Sequence, residues 1–297
     1  MKAKATKLTL GQKHNVTGWL FLTPAAILIA AMSFVPMVQA LLLSLKTGTG
    51  MKLTWAGLYN YSRMFQDGVF MQSLKNTFFY LIIQVPVMLI LALVLASMLN
   101  KRDLKCKGFF RTAIFLPCAT SLVSYAIIFR SLFAVDGFVN TVLVKLGILH
   151  TGYNFLGHPG SARIIIIIAL IWRWTGYNMV FYLSALQNIE GSVYEAAKID
   201  GASPLQTFRK ITIPLLRPTI LLTTIMSTNG TLQLFDESVN LTNGGPAQAT
   251  ITMSHYIYNI SFKYVPNFGY AAAMSYLILI LVAVLAFAQM KVGDKRD

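Results

Sequence analysis

Apolar residues fall in six long runs, at about 17–45, 75–99, 110–133, 163–187, 214–236 and 267–290, with shorter polar stretches between them. Roughly 20 mostly apolar residues, wound as a helix, cross the hydrocarbon core of a bilayer. Each run meets that length, so the pattern predicts an all-α polytopic membrane protein with about six transmembrane helices in a single domain over 1–297. Composition agrees: 56% of the 297 residues are hydrophobic and 12% are charged, where a soluble domain carries about a quarter. Mean hydropathy is +0.61. The first run follows a lysine-bearing N-terminus. It is too long for a signal-peptide core, and no A-x-A site closes it, so a retained helix is expected.

The net charge of +15, from 25 Lys and Arg against 10 Asp and Glu, is unevenly placed. Lys2, Lys4, Lys7 and Lys13 precede the first run. Lys101, Arg102, Lys105, Lys107 and Arg111 fall in the second connection, and Lys198, Arg209, Lys210 and Arg217 in the fourth. Lys291, Lys295 and Arg296 follow the last run, which makes 16 bases on one side. The alternate connections hold five: Lys46, Lys52, Arg63, Lys145 and Lys263. Positive charge marks cytoplasmic loops, so residues 1–16, segment 188–213 and the C-terminus are placed in the cytoplasm. The basic excess is thereby topology and gives no reason to expect nucleic acid. Cys106 and Cys118 show no disulfide or metal pattern, and His14, His150, His158 and His255 are scattered without ligand spacing. No metal site or catalytic constellation is expected.

The fourth connection carries an ordered polar text, NIEGSVYEAAKIDGASPLQTFRKITIPLLRP. Ser192 to Glu195 fits a capping box, and Gly201 sits where a helix ends in the left-handed conformation. Ser203 to Gln206 fits a second box, with Pro204 at the first helical position. The spacing predicts a helix over 193–200, a turn at Gly201-Ala202, and a second short helix from 204 towards Pro214. Ala196, Ala197 and Ala202 keep the surface of this knob small. A plain solvated connection is the alternative; two boxes with a glycine between them favour a built docking element.

EAAKIDGASPLQTFRKITIPLLRP resembles the EAA loop of binding-protein-dependent ABC importer permeases. The match runs through Glu195, Ala196, Ala197 and Gly201, then Ile211 and Pro214, with isoleucine at 213 where leucine is commoner. LYNY (58–61), SLKNTFFY (73–80), FLP (115–117), WRWTGYNM (172–179) and LTNGGPAQAT (241–250) resemble the carbohydrate-uptake branch, of the maltose and glycerol-3-phosphate type. The resemblance implies the type I importer permease fold and a place in a bacterial cytoplasmic membrane. It implies four kinds of partner: a second homologous permease, two cytoplasmic ATPase subunits, an extracytoplasmic solute-binding protein and a carbohydrate. Coupling to the ATPases would fall on Glu195, Ala196, Ala197, Asp200, Gly201, Ala202, Ser203 and Pro204, with Glu195 facing a basic group and Gly201 permitting the bend. ATP and Mg would sit on those partners. This chain contains no Gly-Lys dipeptide, hence no GxxxxGK[ST] phosphate loop, and is expected to bind no cofactor and to be no enzyme.

Two runs carry unusual polar content. The fourth holds Trp172, Arg173, Trp174, Thr175, Gly176, Tyr177 and Asn178. Flat aromatic faces beside an amide suit sugar rings. Equally, Trp and Tyr mark membrane interfaces and glycine allows close helix contact. Arg173 lies near mid-run, where an ionisable group faces a cavity or a partner. The fifth run is interrupted by STNGTLQ (227–233), read as a glycine-broken span at a binding site. In the maltose-type subunit that binds sugar, contacts come from these two spans. The matching positions include Thr175, Gly176 and Thr231, with Asn229 and Gln233 close by; the side chains differ, so sugar identity does not transfer. Asp236 and Glu237 are expected to begin a hydrated loop. The cargo reading is a di- or oligosaccharide. Glycerol-3-phosphate or a polyol would call for buried bases, of which Arg173 is the central candidate. An ion-coupled carrier would need acids inside the spans, and it leaves the EAA loop unexplained.

Overall fold

The computed structural model of the chain describes residues 10–50, 52–101 and 103–293, with residues 10–14 and 16 described by backbone alone. Lys2, Lys4, Lys7, Arg102, Lys295 and Arg296 of the charge count, and the first nine residues of segment 1–16, lie outside the described residues.

Among the described residues, five helices are long and apolar enough to cross a membrane, and a bent pair makes a sixth crossing. The first is α1 (Leu10–Ile29), which passes through a π turn (Ala30–Phe34) into α2 (Val35–Ser44). The wider turn stands just before Pro36, whose ring and missing N–H a regular turn would not accept. A hairpin of β1 (Lys46–Thr49) and β2 (Lys52–Trp55) follows, with Lys46 opposite Trp55, then helix α3 (Tyr59–Gln66). Asn60 ties them to α2, donating to the carbonyls of Ser44 at 2.9 Å and Lys46 at 2.7 Å.

Helix α4 (Gly68–Leu99) begins at Asp67, whose Oδ1 accepts from the amides of Val69 and Phe70. The third crossing differs from the single run 110–133 expected. It is α5 (Lys107–Ala119) and α6 (Leu122–Leu132), bent by 99°. Thr120 and Ser121 are extended, Pro117 sits in the last turn of α5, and the Ser121 hydroxyl caps α6 at the Ser124 amide. A capping serine in an apolar run starts a new helix.

After α7 (Phe138–Lys145) comes α8 (Pro159–Gln187), which lies against α4 and α5. The fourth connection forms α9 (Gly191–Ile199) and α10 (Pro204–Thr207). A π turn (Phe208–Thr212) then leads directly into α11 (Ile213–Leu232). The segment after α11 holds α12 (Met253–Tyr258), and α13 (Phe268–Gly293) closes the fold against α2 and α11. In lipid, helices associate through close packing and interhelical hydrogen bonds rather than through hydrophobic burial. Accordingly, buried Ala92, Ala96, Ala169 and Gly176 bring α4, α5 and α8 together, and Tyr182 bonds Thr223 across α8 and α11 at 2.7 Å.

The connections before α8 and before α12 are held by side-chain hydrogen bonds. Asn140 closes the loop before α8 by donating to the carbonyls of Ala134 and Tyr153. Residues 248–251, just after LTNGGP, are pinned from two helices. Asn76 donates to Gln248 and Ile251 carbonyls, and Arg163 Nε donates to Ala249 O at 2.7 Å.

Candidate functional site

Two places bear on function: a cavity between α4, α6, α8 and α11, and the bend between α9 and α10.

The cavity has a volume of about 420 Å³. From α8 it takes Arg173, Trp174, Tyr177 and Asn178; from α11 it takes Met226, Ser227, Gly230 and Thr231. Both sets follow the i, i+1, i+4, i+5 spacing of one helix face. Gln84 and Met88 of α4 form the floor, and Gln233 through Glu237 close one side.

Polar groups beneath the cavity are tied to one another. The buried Thr231 hydroxyl lies 3.0 Å from Gln84 Oε1 and 2.9 Å from the Ser227 carbonyl. Gln84 Nε2 approaches Met88 Sδ, and Asn178 Nδ2 donates to the Trp174 carbonyl at 3.0 Å. Trp174 and Tyr177 meet edge to face, with centroids 5.8 Å apart. The cavity therefore offers aromatic surface on one wall and amide and hydroxyl groups on the floor.

Arg173 is only 6% exposed. Its Nη2 donates to the Thr120 carbonyl at 3.3 Å, at the break between α5 and α6. The guanidinium carbon lies 5.0 Å from the Tyr125 ring centroid and 5.5 Å from that of Trp174. Nε and Nη1 have no hydrogen-bond partner among the described residues.

Four of the sequence candidates line the cavity: Trp174, Asn178, Thr231 and Gln233. Four do not. Trp172, 43% exposed, points off the other side of α8 and stacks on Tyr125 at 6.0 Å and 4°. Thr175 is buried and donates to the Ile171 carbonyl. Gly176 faces α5, where a Cβ would stand 2.0 Å from the Ile114 carbonyl oxygen. Asn229 is exposed and accepts from Gln233.

Two further expectations give way. STNGTLQ does not break the fifth span: α11 is helical through Gly230 to Leu232, and the chain turns only at Gln233. One glycine costs a helix interior about 1 kcal/mol, too little to unwind a packed helix. Nor is Glu237 a hydrated loop start. The chain folds back along α6 after Gln233, which leaves Glu237 4% exposed, with the Arg173 guanidinium and the Trp174 indole beside it. Sequence reading also passed over Gln84 and Met88 as cavity residues. A glutamine amid FFYLIIQVPVMLI was the available signal.

At the bend between α9 and α10, the second capping box is present: Ser203 N donates to Gln206 Oε1 at 2.8 Å and Gln206 N to Ser203 Oγ at 3.3 Å. Gly201 has φ +75°, which lets the chain turn without strain. The first box is absent. Helix α9 starts at Gly191 with Glu190 as its cap residue, so Ser192 lies inside the first turn and its hydroxyl reaches the Glu190 carboxylate instead. The second arm is not a separate short helix. The π turn before Pro214 carries it unbroken into α11. Glu195, Ala196, Asp200, Gly201, Ser203 and Pro204 are exposed, Ala197 is buried and Ala202 half-buried.

Outside the spans, Asp67 and His255 organise the outer half. Asp67 Oδ2 accepts from Tyr256 at 2.7 Å and Tyr270 at 2.8 Å. Burial pushes its carboxyl up, but those hydrogen bonds and the amides of Phe70 and Val69 outweigh it and leave it below the usual aspartate value. His255 Nδ1 lies 2.8 Å from Ser238 Oγ, and burial, with Lys263 nearby, lowers it to about 4.

A polytopic helical fold with a polar, aromatic cavity at its centre and a capped bend on one face defines a membrane permease. Comparison with known proteins places it. Residues 68–296 match the binding-protein-dependent transport system inner membrane component family, and the chain belongs to that family, in its carbohydrate-uptake branch. It is 50% identical over 296 residues to the lactose transport system permease protein LacF of Rhizobium radiobacter, covering 99% of each. It is 30% identical to the arabinooligosaccharides transport system permease protein AraP of Halalkalibacterium halodurans, covering 97% of this chain and 91% of the relative. In fold it is similar to a chain of a bacterial ABC transporter involved in the import of the acidic polysaccharide alginate. There the TM-score is 0.83 and the identity 24%, over 96% of this chain and 97% of the other. The type I importer fold and inner-membrane location expected from the sequence therefore hold.

Proposed function

We propose that the chain is one of two permease subunits of an ATP-driven importer, and that the cavity carries a disaccharide of the lactose kind across the bacterial inner membrane. The single observation behind this reading is the pairing of aromatic faces, Trp174 and Tyr177, with the amide and hydroxyl groups of Gln84, Asn178, Ser227 and Thr231 in one cavity between spans. A sugar ring has C–H faces for the first set and hydroxyl edges for the second. The 50% identity to a lactose permease over its whole length supports the cargo.

The capped bend is the coupling element in this reading, and both termini are cytoplasmic with it. Its exposed face carries Ile199, 86% exposed, and Leu205, 65% exposed, apolar side chains that a protein partner would cover. ATP and Mg belong to cytoplasmic ATPase subunits seated there, and an extracytoplasmic binding protein delivers sugar from the other side. Because α10 runs unbroken into α11, an ATPase that moves the bend at Gly201 moves a helix that ends at Gly230 and Thr231 in the cavity. The chain itself performs no catalysis.

Gly230→Trp tests the path. A Cβ at Gly230 meets nothing within 4 Å, so the indole has room to fill the cavity without disturbing the helix. Lactose uptake by the assembled transporter is expected to fall to background while the ATPase subunits still co-purify. Undiminished uptake would remove this cavity from the path.

A further inference from the structure

Aromatic side chains continue from the cavity wall into the connection between α11 and α13. Phe235 lines the cavity. Its ring meets that of Tyr258, with centroids 5.2 Å apart and planes at 62°, and Tyr258 meets Phe262 at 5.4 Å and 44°. We propose that Phe235, Tyr258 and Phe262 form a second sugar-binding subsite, a track that holds a sugar ring before it enters the cavity. This deepens the reading of the cavity as a sugar path and rests on it.

Exposure separates this file of rings from a packing cluster. Phe262 is 70% exposed and Tyr258 36%, so ring surface is open to a ligand. The stacked file of Trp172, Tyr125 and Phe129 is closed in its middle, where Tyr125 is 1% and Phe129 5% exposed. It has no such surface to offer. Local structure sets the track beside the cavity. The Thr252 hydroxyl caps α12 at the His255 amide and also donates to the Leu234 carbonyl, which fastens α12 next to Phe235. Tyr258 and Phe262, four residues apart, then follow one side of α12 and the π turn (Asn259–Lys263) that extends it. A polar rim borders the rings. Exposed Lys263 places Nζ 5.9 Å from the Tyr258 centroid and 3.0 Å from Asn243 Oδ1. Ring faces for C–H groups and donors for hydroxyl edges repeat the pairing found in the cavity. An acyl chain would be served by any apolar side chain and would gain nothing from that rim. The connection also belongs to the base-poor set, the side from which the binding protein delivers sugar in this reading.

The test is lactose binding to the purified permease–ATPase complex without its solute-binding protein, titrated by saturation-transfer NMR. Tyr258→Ala and Phe262→Ala, at positions outside the cavity, should each weaken lactose binding by roughly fivefold or more. Phe262→Tyr should recover most of what Phe262→Ala loses, and Phe262→Leu should not, because a sugar needs the flat face and not apolar bulk. Wild-type affinity in both alanine variants overturns the proposal, as does recovery by leucine or the absence of saturation transfer to lactose in the wild type. If the alanine variants lose the second permease or the ATPases on purification, the file is a subunit contact and the proposal falls. The cavity reading is judged separately. Uptake that persists in Gly230→Trp removes the cavity, whereas blocked uptake in Gly230→Trp with unaltered binding in the alanine variants removes the track alone.

Discussion

Gly176 offers a sharp division between a packing role and a ligand role. A Cβ placed there would stand 2.0 Å from the carbonyl oxygen of Ile114, 2.7 Å from its carbon and 2.9 Å from Phe115 Cα. All three are backbone atoms of α5, so no side-chain rotation can relieve the contact. Relief requires α5 and α8 to separate by roughly 1 Å, and overpacking of this kind costs about 1–3 kcal/mol. Backbone neighbours put Gly176→Ala at the upper end of that range, and Gly176→Leu beyond it. The same displacement would stretch the 3.3 Å bond from Arg173 to Thr120, because Arg173 is one turn away on α8 and Thr120 follows the end of α5. Gly176→Ala is therefore expected to lower the melting temperature of the complex in detergent and to lower maximal uptake, leaving the sugar concentration for half-maximal uptake nearly unchanged. A residue that touched sugar through its backbone would behave in the opposite way. An unaltered melting temperature with a raised half-saturation concentration would refute the packing role and return Gly176 to the sugar site.

Two predictions concern the outer half. Asp67→Asn should destabilise the complex by about 1–3 kcal/mol, since it removes the charge from bonds to Tyr256, Tyr270 and two helix amides. The folded carboxyl titrates below its ordinary 3.8. Its stabilisation is thus complete above that value and lost as pH falls through the folded pKa, so melting curves of wild type and variant should converge only in strong acid. Convergence at neutral pH would contradict this. His255 also titrates lower folded, at about 4 against 6.5. Between those values the unfolded segment binds a proton that the folded one refuses, so stability there is full above 6.5 and declines as pH falls towards 4. After correction for the intrinsic pH dependence of amide exchange, the opening equilibrium across α12 should rise between pH 7 and 5 in the wild type, and the rise should be smaller in His255→Gln. Equal slopes would dismiss His255 as its source.

Much of the fold was legible because membrane spans announce themselves by length and apolarity, and five of the six runs became single helices. The exception, at Thr120-Ser121, turns on a capping serine that hydropathy averages away. The π turns before Pro36 and Pro214 show a related limit. Proline predicts trouble in a helix, but whether the helix stops or widens depends on what packs around it. At Pro214 it widened, which turns a presumed loop helix into the start of a span.

The site was half legible for a more specific reason. Composition pointed to the stretches of α8 and α11 that line the cavity but took neighbours along with them, so Trp172 and Asn229 entered beside Trp174 and Thr231. Helical spacing separates these pairs: residues 173, 174, 177 and 178 share one face, and Trp172 falls on another, against Tyr125. Glu237 was beyond reach by either route. It follows the end of α11, where a charged residue ordinarily meets water, and only the return of the chain along α6 buries it beside Arg173. Arg173 in turn ties the cavity to the bent helix pair, since it lines the cavity and its Nη2 holds the Thr120 carbonyl at the junction of α5 and α6.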